Sequence, residues 1–431
     1  MSEAFVATAG RIGALLVREA IWDASATRAT WFGSAVDAYR GEYIALHRTS
    51  GPDLYRGTAG IALFLARLYR ETGERAFAVT ALGALAQSLA QVHRIDDDLR
   101  IGFYSGYAGI AYAAMTVGEL CERDDLRARG IALLLEHADV DPAGRRGLDV
   151  MSGIAGVIPL LIAAHLAGVP SALAAATSLG RKLVRNARRS ERGFSWNTLK
   201  SPADGDPDLT GFSHGAGGIA WALLELHAVT GDQEALHAAT EGFRYEQSWF
   251  SAAHGNWADL RGAGPALGGE GALRYANAWC HGAPGIALSR LRAYALTGED
   301  AYREQAMIAL RTASASLDDP TVNYSLCHGA GGNVEPFLLA ERILGEVRYG
   351  DVARATGERG VAFYDRSDGW PGGVAGGDTP PDLFLGWAGI GYAYLRLHDS
   401  LAVPSVVVLE PERLFSRAFP ATSRKEERCP T

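Results

Sequence analysis

A chain of 431 residues that is 48% hydrophobic and 21% charged holds ample apolar material for a large core, which excludes collagen-like and disordered classes. Its net charge of -8 argues against a nucleic-acid partner, because phosphate backbones are held by surplus Lys and Arg. Four cysteines in so long a chain do not make a secreted disulfide framework, so reduced thiols and a cytoplasmic location are expected.

Glu3, Arg11, Arg18 and Glu19 break Met1–Ile21, which leaves no apolar signal-peptide core. Residues 1–30 are expected to form an N-terminal helical extension, 31–410 the main domain and 411–431 a polar tail. The dominant signal begins at Gly57. A Gly-x-x-Gly motif followed by a mostly apolar helical run recurs at Gly57–Gly60, Gly106–Gly109, Gly153–Gly156, Gly215–Gly218, Gly282–Gly285, Gly329–Gly332 and Gly386–Gly389. In four repeats another glycine falls 16 positions after the first, at Gly73, Gly231, Gly298 and Gly345, where a left-handed cap would end the helix. A second helix, such as Arg75–His93, fits before the next motif. Gly156–Gly180 carries no Asp, Glu, Lys or Arg and could span a bilayer, but Pro159 and the Gly168-Val169-Pro170 turn divide it. Two short buried helices are expected there, and no membrane span.

Seven helix pairs can stack as an open solenoid or a closed ring. Open arrays need polar outer faces on their end repeats. Here Ile61–Tyr69 and Ile390–Leu397 are as apolar as the middle runs, which favours closure. The expected fold is all-α, an α/α toroid of about seven helix pairs with the glycine turns around one mouth.

The residue before each first glycine would then line that mouth: Arg56, Ser105, Ser152, His214, His281, His328 and Leu385. One position further back stand Ser213, Cys280 and Cys327. Two thiols and three imidazoles on neighbouring helix starts suggest a zinc site made of Cys280, Cys327 and one His, with a fourth position open as in catalytic zinc centres. Spacing does not decide which His binds. Cys121 looks like core and Cys429 lies in the polar tail. Asp53, Asp149 and Asp382 each stand four positions before a first glycine, where an Asp braces a turn or orients a rim histidine.

With Trp279-Cys280-His281-Gly282-Ala283-Pro284-Gly285 and Cys327-His328-Gly329, the seven motifs resemble the lanthionine cyclases and LanC-like proteins over roughly residues 30–410. Asn256-Trp257-Ala258-Asp259-Leu260-Arg261, Gly389-Ile390-Gly391-Tyr392 and Val403-Pro404-Ser405-Val406 look most like the cyclase domain of class II lanthipeptide synthetases, without the large dehydratase region. The resemblance implies one Zn2+ per chain on Cys280, Cys327 and His328, with His214 as acid/base held by Asp149. His281 stands where nisin-type cyclases have Tyr, and Ala276 near where they have Arg. His281 is therefore a reserve acid/base, or a support behind it.

The chemistry so implied is addition of peptide cysteine thiols to dehydroalanine or dehydrobutyrine, closing thioether rings in lanthipeptide biosynthesis. The expected partners are a dehydrated precursor peptide with its leader and a separate dehydratase. Two alternatives remain: a LanC-like protein adding glutathione or another thiol to dehydrated proteins, and a non-catalytic peptide-binding toroid. A glycoside-processing toroid is disfavoured, since no convincing carboxylate pair is found.

Overall fold

The computed structural model describes residues 2–39, 42–96, 99–138, 145–198, 207–261, 273–319, 321–365 and 369–415. Cys429 and most of the expected tail lie outside the described residues. The chain opens with α1 (Ser2–Arg18) and then alternates inner and outer helices. The pairs are α2 (Thr58–Thr72) with α3 (Arg75–Ala90), α4 (Tyr107–Leu120) with α5 (Asp124–Glu136), α6 (Ile158–Leu166) with α7 (Ser171–Arg185), and α8 (Ala216–Thr230) with α9 (Gln233–Gln247). Next come α10 (Ala283–Thr297) with α11 (Asp300–Leu317), then the single turn α12 (Ala330–Asn333) leading into α13 (Glu335–Leu344), which pairs with α14 (Val347–Tyr364). The last inner helix, α15 (Trp387–His398), takes its outer partner from the other end of the chain. That partner is α1, whose Phe5, Ala9, Ile12 and Leu16 are buried. The uncharged stretch forms the two short helices α6 and α7, and among the described residues no helix is long and apolar enough to cross a membrane.

The molecule is an α/α toroid, and the glycine motif explains why. Six of the seven inner helices start at the first glycine of their motif, the sixth through the single turn α12, while in the third a short 3-10 turn (Ile154–Gly156) follows Gly153 before α6. The four glycines 16 positions on, where they cap the inner helices, have φ between 70° and 73°, so a left-handed residue ends each run. At the second glycine, neighbouring repeats touch. A Cβ on Gly109 would meet Leu54, on Gly156 Phe103, on Gly218 Val150, on Gly285 Phe212, on Gly389 Leu326, and on Gly60 Leu383. The last of these joins the seventh repeat to the first and closes the ring.

Among the described residues, backbone hydrogen bonds two positions before the first glycines link six of the seven pairs of neighbouring turns. Tyr55 N–H donates to Tyr104 O, Tyr104 to Met151, Met151 to Ser213 and Ser213 to Cys280; Cys327 donates to Phe384, and Phe384 back to Tyr55. All the turns therefore sit at one end of the toroid.

The hole is filled. Val406, Val407, Val408 and Leu409 are each at most 1% exposed. Tyr104 Oη donates to Val406 O at 2.9 Å, and Trp279 Nε1 to Val407 O at 2.8 Å. Inner-helix charges clasp the same segment: Arg396 Nη1 donates to Val403 O while its Nε and Nη2 meet Glu335 at 2.9 and 2.8 Å. Arg396 and Glu335 are both buried, so Arg396→Leu strands a carboxylate in the core. We expect it to lower stability by about 3–5 kcal/mol in denaturant unfolding.

Short strand pairs interrupt the helices. The longest, β3 (Phe32–Tyr39) with β4 (Glu42–Thr49), pairs antiparallel from Phe32 opposite Thr49 to Tyr39 opposite Glu42. A smaller pair joins β1 (Ile21–Trp22) to β2 (Ala29–Thr30), so residues 2–30 are a helix followed by a hairpin.

Candidate metal and acid-base site

Three turns share one construction. Asp53 Oδ1 accepts from Arg56 N–H, Asp149 Oδ1 from Ser152 N–H and Asp382 Oδ1 from Leu385 N–H, each at 2.7 Å. The bracing role thus holds for all three, and Asp149 does more. Its Oδ2 lies 2.5 Å from Nδ1 of His214, the rim residue of the next repeat. Asp149 is 2% exposed at its side chain and His214 34%, so a fixed carboxylate orients an imidazole that reaches the mouth. The bond takes the proton on Nδ1 and turns Nε2 outward. Burial pushes the His214 pKa down, but the charge and hydrogen bond of Asp149 outweigh it, and the imidazolium is held above its usual range.

Cys280 and Cys327 come together as successive repeats bring them, near enough for each thiol to act on the titration of the other. The Cys327 thiol, helped by the Arg261 and His214 charges against burial, brings Cys280 down to about 7, while Cys327 is held up by Cys280 and by burial. Tyr55 hydrogen-bonds Cys327 and stacks on Phe384 at 4.6 Å. It occupies in the first repeat the position that cysteine holds in the fifth and sixth, which is the signal that marks it.

His328 Nε2 lies 3.0 Å from Gly373 O and donates to it, which makes Nδ1 the lone-pair nitrogen. His281 is different. It is 1% exposed, its ring centroid is 6.0 Å from that of His214, and its Nδ1 is 3.9 Å from Asp259 Oδ1. Neither ring nitrogen has a hydrogen-bond partner among the described residues. Burial, with the Arg261 and His214 charges, pushes His281 down to about 3, so it stands as a neutral imidazole.

Arg261 was not singled out by spacing. It pairs with Asp259 through Nη2 at 2.6 Å, and its charge acts on both thiols and on His214, His281 and His328. It lies on the loop between α9 and α10, which carries no glycine motif. Cys121 ends α4, where it is half-buried against the core and burial pushes its thiol up to about 11.

Among the described residues no group of three His, Cys, Asp or Glu side chains stands close enough to form a finished metal cage. What the turns do present is a thiol pair, with His328 following Cys327 in the chain and its ring held by the Gly373 carbonyl. That donor set suits zinc, and the Gly373 carbonyl behind His328 is the support a metal-bound imidazole usually has.

A toroid with this rim defines a family. The sequence matches the lanthionine synthetase C-like protein family over residues 49–408, and the chain belongs to it. It is 25% identical over 358 residues to the Glutathione S-transferase LANCL1 of Danio rerio, covering 78% of this chain and 80% of that protein. Among solved structures, nisin cyclase superposes with a TM-score of 0.61 at 18% identity, over 85% of this chain and 92% of that one. At that identity the likeness speaks for the fold.

Proposed function

We propose that this protein is a zinc-dependent lanthionine and methyllanthionine cyclase that closes thioether rings in a dehydrated precursor peptide. The observation that carries the reading is the neighbouring Cys280 and Cys327 thiols on the same rim as the hydrogen-bonded Asp149–His214 pair. Cys280, Cys327 and His328 would hold one zinc ion. When bound, the metal lowers the pKa of a substrate thiol, about 8.5 when free, so that it attacks as thiolate.

The chain's own residues do the rest. The thiolate sulfur bonds to the β-carbon of the dehydro residue, and the displaced π pair leaves an enolate that must gain a proton at the α-carbon. His214, protonated and aimed by Asp149, offers that proton from Nε2. Buried, neutral His281 has no proton to spare near neutral pH, which makes it a packing neighbour of His214 rather than the donor. The rim keeps the peptide's thiol and alkene together, raising their effective concentration for ring closure. A separate dehydratase would supply the dehydro residues, and the precursor's leader would remain attached.

The second reading, addition of glutathione to dehydrated proteins, is favoured by the likeness to the glutathione transferase and by the consecutive Cys280 and His281. One assay separates the two. A dehydroalanine peptide with its own cysteine is incubated with and without glutathione and probed by thiol alkylation and mass spectrometry. The cyclase reading expects loss of the alkylatable thiol at unchanged mass. A product heavier by one glutathione, with the peptide thiol still free, would replace it with the transferase reading.

A further inference from the structure

The seam between the fifth and sixth repeats is built unlike the others. Six backbone hydrogen bonds stitch neighbouring turns around the rim, and no bond of that kind joins Cys280 to Cys327 among the described residues. The fifth turn also enters its helix differently. Gly282 has φ 96°, in the left-handed region, whereas the other six first glycines have φ from −105° to −140°.

A third difference lies directly after the second glycine. Ile61, Ile110, Val157, Ile219, Ile286 and Ile390 fill that place in six repeats, while the sixth repeat has Asn333. Asn333 is 1% exposed. Its Nδ2 reaches across the seam and donates to Asn277 O at 2.9 Å, three residues before Cys280. Its Oδ1 has no partner among the described residues. A buried carboxamide with an unsatisfied oxygen costs stability that an aliphatic side chain would not, so stability alone does not account for it. Asn277 is itself tied to Asn256, whose Nδ2 donates to Asn277 Oδ1 at 3.1 Å and to Ala276 O at 3.0 Å. Asn333, Asn277 and His328 line one polar cavity of about 420 Å3.

We propose that Asn333 is a positioning residue: it bridges the unstitched seam and sets the spacing of Cys280 and Cys327 at which the metal is taken up. A direct backbone bond would pull the two turns into the register of the six stitched seams, whereas the carboxamide arm ties the Cys280 turn to the sixth repeat by a longer route. This rests on the zinc reading given above.

The test is Asn333→Val in the full chain, which restores the residue type of Val157. Melting temperature should be unchanged or higher. Zinc affinity by chelator competition should fall about 10–100-fold, as on removing a group that supports a ligand, and the thiolate-to-metal absorption of the cobalt-substituted protein should change. Native zinc affinity with an unaltered cobalt spectrum would overturn the proposal. Asn333→Ser serves in the same way if the valine variant does not fold. If the native protein takes up no zinc, the metal reading fails by itself. The seam claim is then decided in the metal-free protein by the rate at which diamide joins Cys280 to Cys327. A rate altered by Asn333→Val supports the positioning role, and an unaltered one sinks it.

Discussion

Cys280→Ala and Cys327→Ala should each take the protein from about one bound zinc per chain to background, and ring closure should fall with the metal. The two thiols are neighbours on adjacent turns that each act on the other, so neither variant leaves a second soft ligand to replace the lost one. Both side chains sit on turns and not in helices, and although Cys327 belongs to the hydrophobic core and Cys280 packs against it, each substitution removes a single sulfur atom. The variants should therefore keep the helical signal of the native protein, which separates loss of metal from loss of fold. Elemental analysis after gel filtration is the measurement. Zinc content unchanged in either variant removes that cysteine from the ligand set, and with it the proposed activation of the substrate thiol.

Much of this architecture was legible in the chain because it repeats. The glycine motif had to be glycine where neighbouring repeats touch, as Gly60 on Leu383 illustrates, so its recurrence marks both the helix starts and the closure. The rim positions followed from the same register, which is why Cys280, Cys327, His214 and Asp149 could be named in advance. Legibility ended where side chains from unrelated places meet. Nothing local shows that α1 is the outer partner of α15, since the contact joins opposite ends of the chain and each helix simply has an apolar face. The filling of the hole by Val406–Leu409 is equally remote from the inner helices that clasp it. Arg261 and Asn333 escaped for opposite reasons: one belongs to a loop outside the repeat, and the other is a repeat position whose departure from Ile or Val becomes meaningful once its burial and its bond to Asn277 are seen. The β3–β4 hairpin precedes the first motif, where no period announces it.

In the proposed reaction His214 acts on the proton and not on the metal, so His214→Asn should retain zinc and lose turnover. A positioned acid contributes about 10²–10⁴-fold, so the rate with a dehydrated peptide should fall by that order while peptide binding changes little. Asn is close in size and can still donate toward Asp149, which keeps the turn built. The pH profile supplies the second readout. Because Asp149 holds the imidazolium above its usual range, the proton-donating form should persist through neutral pH and activity should decline as pH rises through that elevated pKa. Asp149→Asn removes the charge that outweighs burial, so the alkaline limb should move to lower pH. An alkaline limb that stays in place in Asp149→Asn would assign the proton to another group. Loss of zinc in His214→Asn would instead place this imidazole among the ligands and leave His328, held by Gly373, with the supporting role.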